Sequence, residues 1–338
     1  MKLERYKGNP ILSPNPDNEW ESIVTTNPGA WYDENAKTVY LLYRAAGADA
    51  EHRIHLGLAV SRDGYCFERA SEQPVFSPSA DGFDGGYVED PRIVKMGEYY
   101  HITYASRPFP PGQYWLPAQE RSYTPPECPP DFPRTMRENQ TSTGLALTKD
   151  FRRYIRVGRL TNPMVDDRDV ILFPEKVNGK YVLMHRPMTW VGKEYGTDHP
   201  AMWISTGEDL LDFRDSQLLA TARYDWERKI GGNTPPIRTE HGWLTLYHAV
   251  GPDNHYRLGA LLLDLEDPAK VLHRTPDWLI QPEEDYELEG YYNGVIFPCG
   301  KVVIDGTLFV YYGGADKYVG LATCSLQSLL DHLLSCRP

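Results

Sequence analysis

NPGAWYDENAKTVYLLYRAAG, residues 27–47, is the stretch from which the rest of the chain can be read. It has a short lead with a proline, a polar turn, and then a strand of apolar and aromatic residues. The same plan returns as EDPRIVKMGEYYHITYAS (89–106), DVILFPEKVNGKYVLMHRP (169–187), NTPPIRTEHGWLTLYHAV (233–250) and NGVIFPCGKVVIDGTLFVYYGGAD (293–316). Aligning the strand ends at Tyr43, Tyr104, His185, Tyr247 and Tyr312 gives spacings of 61, 81, 62 and 65 residues. Self-similarity at such a period is the mark of a repeat architecture.

A second pattern follows each copy: HLGLAVSRDGYCFER (55–69), TGLALTKDFRRYI (143–155), MWISTGEDLLDFRD (202–215), LGALLLDLEDPAKVLHR (258–274) and VGLATCSLQSLLDHL (319–333). In most copies a strand of small residues enters an Asp- or Ser-bearing turn and leaves as another strand. Two hairpins per unit make about four strands, the content of one propeller blade. The strands are short, β-branched and aromatic, bounded by Gly, Pro, Asn and Asp. The expectation is an all-β, five-bladed β-propeller forming one domain over residues 1–338, with a two-sheet sandwich as the alternative. LQSLLDHLLS (326–335) reads as a short amphipathic C-terminal helix.

The surplus in the 81-residue spacing lies at about 107–139, which holds nine prolines and several aromatics. Proline at that density excludes regular helix and strand. The aromatics argue against a disordered linker, so an ordered loop over one propeller face is expected, as a lid or contact surface.

A chain of 338 residues buries a core large enough to need neither disulfides nor metals. The five cysteines are odd in number and none are at CxxC spacing, which argues against a disulfide framework and a zinc site and for a reducing compartment. MKLERYKGNP at the start has no apolar export region, and no stretch approaches the length of a membrane span. A cytoplasmic protein with no membrane partner is expected. The net charge of −12 argues against nucleic acid as a partner, since binding a phosphate backbone needs a basic face. It does not exclude a local cationic cluster holding one small anion.

In a propeller the innermost strands converge on the axis, so the lead segments are where a site would form. They supply Asn27, Glu89-Asp90-Pro91-Arg92, Arg168-Asp169, Lys229 and Asn233, and the partner strands end at Arg44, Arg186, His248 and Asp316. Each has an ordinary reading: Asp90 caps a turn before Pro91, Arg168 belongs to a solvated DDRD run, Lys229 is a loop lysine, and His185 and His248 are satisfied core histidines. Their recurrence at equivalent points of successive units argues for one site.

NPILSP (9–14), LLYRA (41–45), GLAVSRDG (57–64), VEDPRIVK (88–95), GLALTKDF (144–151), LFPEKVNGKYVLMHRP (172–187), WERKIGGNTPPI (226–237), GWLTLYHAV (242–250) and YYGGAD (311–316) occur in this order over nearly the whole chain. In these stretches the sequence resembles glycoside hydrolase family 130, the β-mannoside phosphorylases and their hydrolytic relatives. The resemblance implies the five-bladed propeller reached above and an enzyme transferring a hexosyl group to phosphate. It assigns the general acid to Asp90. It assigns phosphate binding to Arg168, Arg186, Lys229 and His248, and contact with the transferred sugar to Asn27, Arg44, Arg53 and Asp316. The proton is implied to travel through the 3-hydroxyl of the bound mannose. The hydrolytic branch lacks the cationic set and uses glutamates with water.

Those residue types suit the chemistry. A glycosidic bond breaks when its oxygen is protonated while a nucleophile approaches an oxocarbenium-like carbon. Phosphate is already an anionic nucleophile, so a phosphorylase needs cations to orient it rather than a second carboxylate. Arginine forks match phosphate oxygens in pairs, and lysine adds a point charge. Asp90 must begin protonated, so burial or neighbouring carboxylates should raise its pKa. The expected reaction is an inverting phosphorolysis, with β-mannoside and phosphate giving α-mannose 1-phosphate and a shortened acceptor. It needs no metal or organic cofactor, phosphate being a co-substrate. The partners are then a β-mannoside oligosaccharide and phosphate, with no nucleic acid. Relatives in the resembled family often assemble, and the 107–139 loop offers an apolar surface, so a homo-oligomer stays open. The alternatives are an inverting β-mannosidase using water and a non-catalytic glycan-binding propeller.

Overall fold

The computed structural model describes residues 1–337. A two-residue strand β1 (Glu4–Arg5) comes first. Blade 1 then consists of β2 (Val24–Asp33), β3 (Thr38–Ala46), β4 (Ile54–Ser61) and β5 (Glu68–Arg69). Blade 2 is β6 (Tyr87–Met96), β7 (Tyr99–Arg107), β8 (Ser142–Thr148) and β9 (Tyr154–Arg159). Blade 3 is β10 (Asp167–Leu172), β11 (Tyr181–Pro187), β12 (Met202–Asp209) and β13 (Asp212–Ala220). Blade 4 has β14 (Lys229–Gly232) and β15 (Ile237–Thr239) on its inner edge, then β16 (Gly242–Val250), β17 (Tyr256–Leu263) and β18 (Val271–Arg274). Blade 5 is β19 (Ile296–Ile304), β20 (Thr307–Gly314) and β21 (Tyr318–Ser325), and β1 pairs with β21 as its fourth strand, Arg5 opposite Ala322. Within each blade successive strands are antiparallel. A single parallel pair, Ile54 with Tyr87, links blades 1 and 2 into one hydrogen-bonded sheet.

The result is a five-bladed propeller, and its core lies between the blades. Leu42 and Leu56 meet Ile93 and Ile102 between blades 1 and 2. Val94 and Leu145 meet Val170 and Leu172 between blades 2 and 3. Met184 and Ile204 meet Tyr247 and Leu261, and Leu246 and Leu262 meet Leu308 and Val310. Leu41 and Tyr43 of blade 1 meet Tyr311 and Val319 of blade 5, which closes the ring. The C-terminal helix, Leu326–Ser335, starts where the Ser325 hydroxyl accepts from Ser328 N, and it seats Leu329, Leu330 and Leu333 on the cluster between blades 4 and 5.

Four blades share one internal lock, and it explains the repeated tyrosine. Tyr43, Tyr104, Tyr247 and Tyr312 each donate a hydroxyl hydrogen bond to a buried carboxylate, at 2.9 Å to Glu21, 2.9 Å to Asp84, 2.6 Å to Glu227 and 2.7 Å to Glu287. Each carboxylate also receives an arginine from the blade's fourth strand: Arg69, Arg156, Arg274 and Arg5 respectively. Opposite each tyrosine stands a glycine, Gly57, Gly144, Gly259 or Gly320, where a Cβ would collide with the ring. Blade 3 departs from this. His185 replaces the tyrosine, faces Trp203 instead of glycine, donates from Nδ1 to Asp167 at 2.8 Å and accepts at Nε2 from Ser205 at 2.8 Å. His185 is therefore the satisfied core histidine that its position at a strand end suggested.

Candidate active site

The inner strands of blades 1–3 do not run straight. Each carries a bulge, between Thr26 and Gly29, Glu89 and Arg92, and Arg168 and Ile171. At each bulge one short polar residue adopts positive φ: Asn27 at 43°, Asp90 at 50° and Asp169 at 53°. Asparagine and aspartate tolerate this conformation better than other residues with a side chain. A bulge re-aims the side chain it carries. Asn27, Asp90 and Asp169 all line a cavity of about 440 Å³ on the propeller axis. A larger open groove runs between the outer parts of blades 1 and 2. Its turn aspartates Asp63 and Asp150 are engaged by backbone amides of their own turns, so the axial cavity is the candidate site.

One side of the cavity gathers carboxylates around a single cation. Asn27 Nδ2 donates to Asp90 Oδ1 at 2.8 Å. Arg44 Nη1 lies 3.2 Å from Glu89, 3.7 Å from Asp90 and 3.9 Å from Asp316. One guanidinium shared by three carboxyls leaves the group short of positive charge. Burial and the Glu89 charge push Asp90 up to about 6, against Arg44, Arg92 and the Asn27 hydrogen bond. Asp316 is raised for the same first reason, with the Asp90 charge adding to it. The expected upward shift of Asp90 is present.

The other side is cationic. Arg168 forks onto Asp166 with two bonds of 2.8 Å. Arg186 Nε donates to Asp169 Oδ2 at 2.5 Å, and Arg92 Nη2 and His248 Nε2 each lie 3.8 Å from that carboxylate. Burial would raise Asp169, yet Arg186 and Arg92 hold it well below the usual carboxylate range. His248 adds little positive charge, because burial, Arg186 and Lys229 push it down to about 3 against the pull of Asp169. Lys229 falls to about 8 through burial and the nearby Arg186 and Arg168 charges. Gly231 is required at the centre of this cluster. A Cβ there would meet Asp169, His248 and Arg186, the last at 2.7 Å.

Of the residues singled out in the sequence, Asn27, Arg44, Asp90, Arg168, Arg186 and Asp316 all line the cavity. Lys229 and His248 stand one layer back, behind Tyr256. The His248 ring stacks on Tyr256 at 5.5 Å, and Lys229 Nζ donates to the Tyr256 hydroxyl at 3.4 Å. His248 is 0% exposed, and neither ring nitrogen has a hydrogen-bond partner. The ordinary reading of a satisfied core histidine fails for it. Arg53 departs from expectation. Its half-exposed guanidinium pairs with Glu51 and donates to Gly85 O at 3.0 Å, outside the cavity wall, because successive residues of an extended chain point to opposite sides and it is the next residue, Ile54, that lines the cavity.

Sequence reasoning left out four participants. Asp169 and Arg92 were visible as members of the leads, but their role as the charge linking Arg186, His248 and Asp90 depends on the fold; Arg92 Nη1 donates to Asp90 O at 2.9 Å and Nε to Asn233 O at 3.0 Å. Tyr256 lines the cavity from a segment with no distinguishing pattern, and Tyr114 from the Pro-rich loop, where the sequence predicts a lid or contact surface without singling out a residue.

A family model described as beta-1,4-mannooligosaccharide phosphorylase, that of glycoside hydrolase family 130, matches residues 2–110 and 135–334. The chain belongs to glycoside hydrolase family 130. A 1,2-beta-oligomannan phosphorylase of Thermoanaerobacter sp. (strain X514) is 35% identical over 97% of this chain and 99% of its own length. A beta-1,2-mannobiose phosphorylase of the same organism is 34% identical over 97% and 99%. Among solved structures, the beta-1,2-mannobiose phosphorylase of Listeria innocua, in complex with beta-1,2-mannobiose, is similar with a TM-score of 0.80 and 27% identity, covering 99% of each chain. The family 130 match leaves the internal stretch 111–134 uncovered. Among the described residues, no helix is long and apolar enough to cross a membrane.

Proposed function

We propose that this family 130 protein is an inverting β-mannoside phosphorylase, and that the linkage it cleaves is β-1,2. The observation that carries the reading is the division of the cavity. A carboxyl raised to about 6 faces a cluster of Arg168, Arg186 and Lys229, whose own carboxylate neighbours are engaged by arginine. Asp166 is held by Arg168 and Asp169 by Arg186, so neither is free to activate water. With Arg92 and Lys229 added to Arg168 and Arg186, the cations on that side outnumber the two carboxylates, and that net positive charge beside the unpartnered His248 suits an anion. The β-1,2 linkage rests on the names of the relatives at 34–35% identity.

In this reading the mannosyl unit is held by Asn27, Arg44 and Asp316, and phosphate by Arg168 and Arg186, with Lys229 and His248 backing the site from behind Tyr256. Phosphate attacks the anomeric carbon from its own face while the bond to the acceptor oxygen breaks on the other. The proton for that oxygen comes from Asp90 by way of the mannose 3-hydroxyl, and one displacement inverts the anomeric centre. Fixed guanidinium groups offset charge on the entering anion without reorganising.

The reverse reaction tests it. Supplied with α-mannose 1-phosphate and mannose, the protein should release phosphate and form β-1,2-mannobiose. Free mannose from β-1,2-mannobiose in phosphate-free buffer would instead identify a hydrolase. A β-1,4 product would overturn the linkage alone.

A further inference from the structure

Residues 111–134 fall outside the family match, yet Pro111 and Tyr114 stand in the cavity wall. The segment belongs to the connection between β7 and β8, on the face where the cavity opens. From blade 2 it crosses to blade 1, where Gly112 N donates to Glu51 O at 2.9 Å and Gln113 Nε2 to Ala48 O at 2.9 Å. Trp115 then packs edge-on against His52 at 4.6 Å and against Tyr291, from the loop before β19 in blade 5, at 5.2 Å. Arg121 folds back over the crossing, donating to Tyr114 O at 2.8 Å and Leu116 O at 2.9 Å. Residues 111–121 are thus a strap tied to blades 1 and 5, with Tyr114 fixed between the ties.

The Tyr114 ring is held by its neighbours but remains 38% exposed, a large apolar face kept open where the cavity meets solvent. The charged groups that act on its hydroxyl are Arg44, Asp316 and Glu89, on the carboxylate side, and Arg168 and Arg186, which line the same cavity, are not among them. A single displacement requires the anion and the departing sugar to lie on opposite faces of the anomeric carbon. The departing sugar therefore leaves on the side away from Arg168 and Arg186, which is where Tyr114 stands. Aromatic rings suit the flat C–H face of a pyranose, and a ring already held in place loses little freedom when one packs on it.

We propose that Tyr114, fixed by the 111–121 strap, packs against the acceptor sugar and determines which acceptors this protein uses. The proposal rests on the phosphorylase reading. The test measures phosphate release from α-mannose 1-phosphate with mannose and with β-1,2-mannobiose as acceptors. It compares the wild type with Tyr114→Ala, Tyr114→Leu and Tyr114→Phe, alongside calorimetric Kd values for α-mannose 1-phosphate. Loss of one stacked ring should raise the acceptor KM by about tenfold in Tyr114→Ala. Tyr114→Leu, which keeps apolar bulk and guards against a loosened strap, should behave similarly, and Tyr114→Phe should stay near wild type. The Kd for α-mannose 1-phosphate should be unchanged in all three. An unchanged acceptor KM in Tyr114→Ala, or a parallel weakening of α-mannose 1-phosphate binding, overturns the proposal. A wild type that releases phosphate with neither acceptor overturns the phosphorylase reading itself.

Discussion

Asp90 is a single residue under opposed demands. Its bulge conformation aims it into the cavity, and burial beside Glu89 makes its ionised form costly. Replacing it with asparagine keeps the shape and the Asn27 contact but removes the acid. Turnover should fall by about two to four orders of magnitude. The same change should stabilise the fold above pH 6. Because the folded-state pKa is raised, the wild type loses stability as pH rises from the unfolded carboxyl value through about 6, and Asp90→Asn avoids that loss. The gain should be about 1–3 kcal/mol near pH 7.5 and vanish towards pH 4. Denaturant titrations at the two pH values check it, and equal stabilities at both would refute the account. The pH dependence of turnover follows from the same group. The mannoside kcat/KM should decline as pH rises through about 6, where free-enzyme Asp90 ionises. The phosphate KM should climb above about 8, where Lys229 loses its proton. A mannoside kcat/KM that stays flat between about pH 5 and 8 would remove Asp90 as the acid.

At the scale of the element, the β-bulge and the bare strand do complementary work. Bulges in β2, β6 and β10 deliver Asn27, Asp90 and Asp169 to the axis, whereas β14 contributes an absence, Gly231, into whose space three side chains converge. Gly231→Ala should therefore act on the anion site without touching Asp90. Displaced Asp169 and Arg186 predict a phosphate KM raised by about tenfold or more, with the mannoside KM altered far less. Steady-state kinetics in both substrates decide between this and a uniform loss. The tyrosine, carboxylate and arginine locks show why the repeat was legible: buried polar groups must be partnered, so the same residue types recur at the same strand ends. Blade 3 lacked the tyrosine for an equally physical reason, since His185, Asp167 and Ser205 satisfy one another there.

The whole molecule closes through its first residues. β1 supplies the fourth strand of blade 5, and Arg5 is the cation on Glu287, which is 0% exposed. Removing residues 1–6 would expose the edge of β21 and leave a buried carboxylate without its arginine. Loss of one partner of a buried pair costs about 3–5 kcal/mol. The truncated protein should melt several degrees lower and associate through the open edge, seen by calorimetry and light scattering. A melting temperature equal to the full chain's would show that the ring is held by its interblade cores alone.

The repeat count, the blade content, the closing helix and most of the site residues followed from the chain alone, because strand periodicity, turn chemistry and the recurrence of charged residues at strand ends are local properties. What only the tertiary structure decided is which of those residues face one another. Arg53 has the right chemistry but its side chain turns to Glu51 and Gly85 outside the wall, whereas Tyr256, from a stretch without a marked pattern, and Tyr114, from the Pro-rich loop, both reach the cavity. Asp90 has its raised pKa, and Asp169 its lowered one, from burial and from neighbours on the same and the adjacent blades. Charge interactions depend on distance and burial through space, and neither is a property of sequence order.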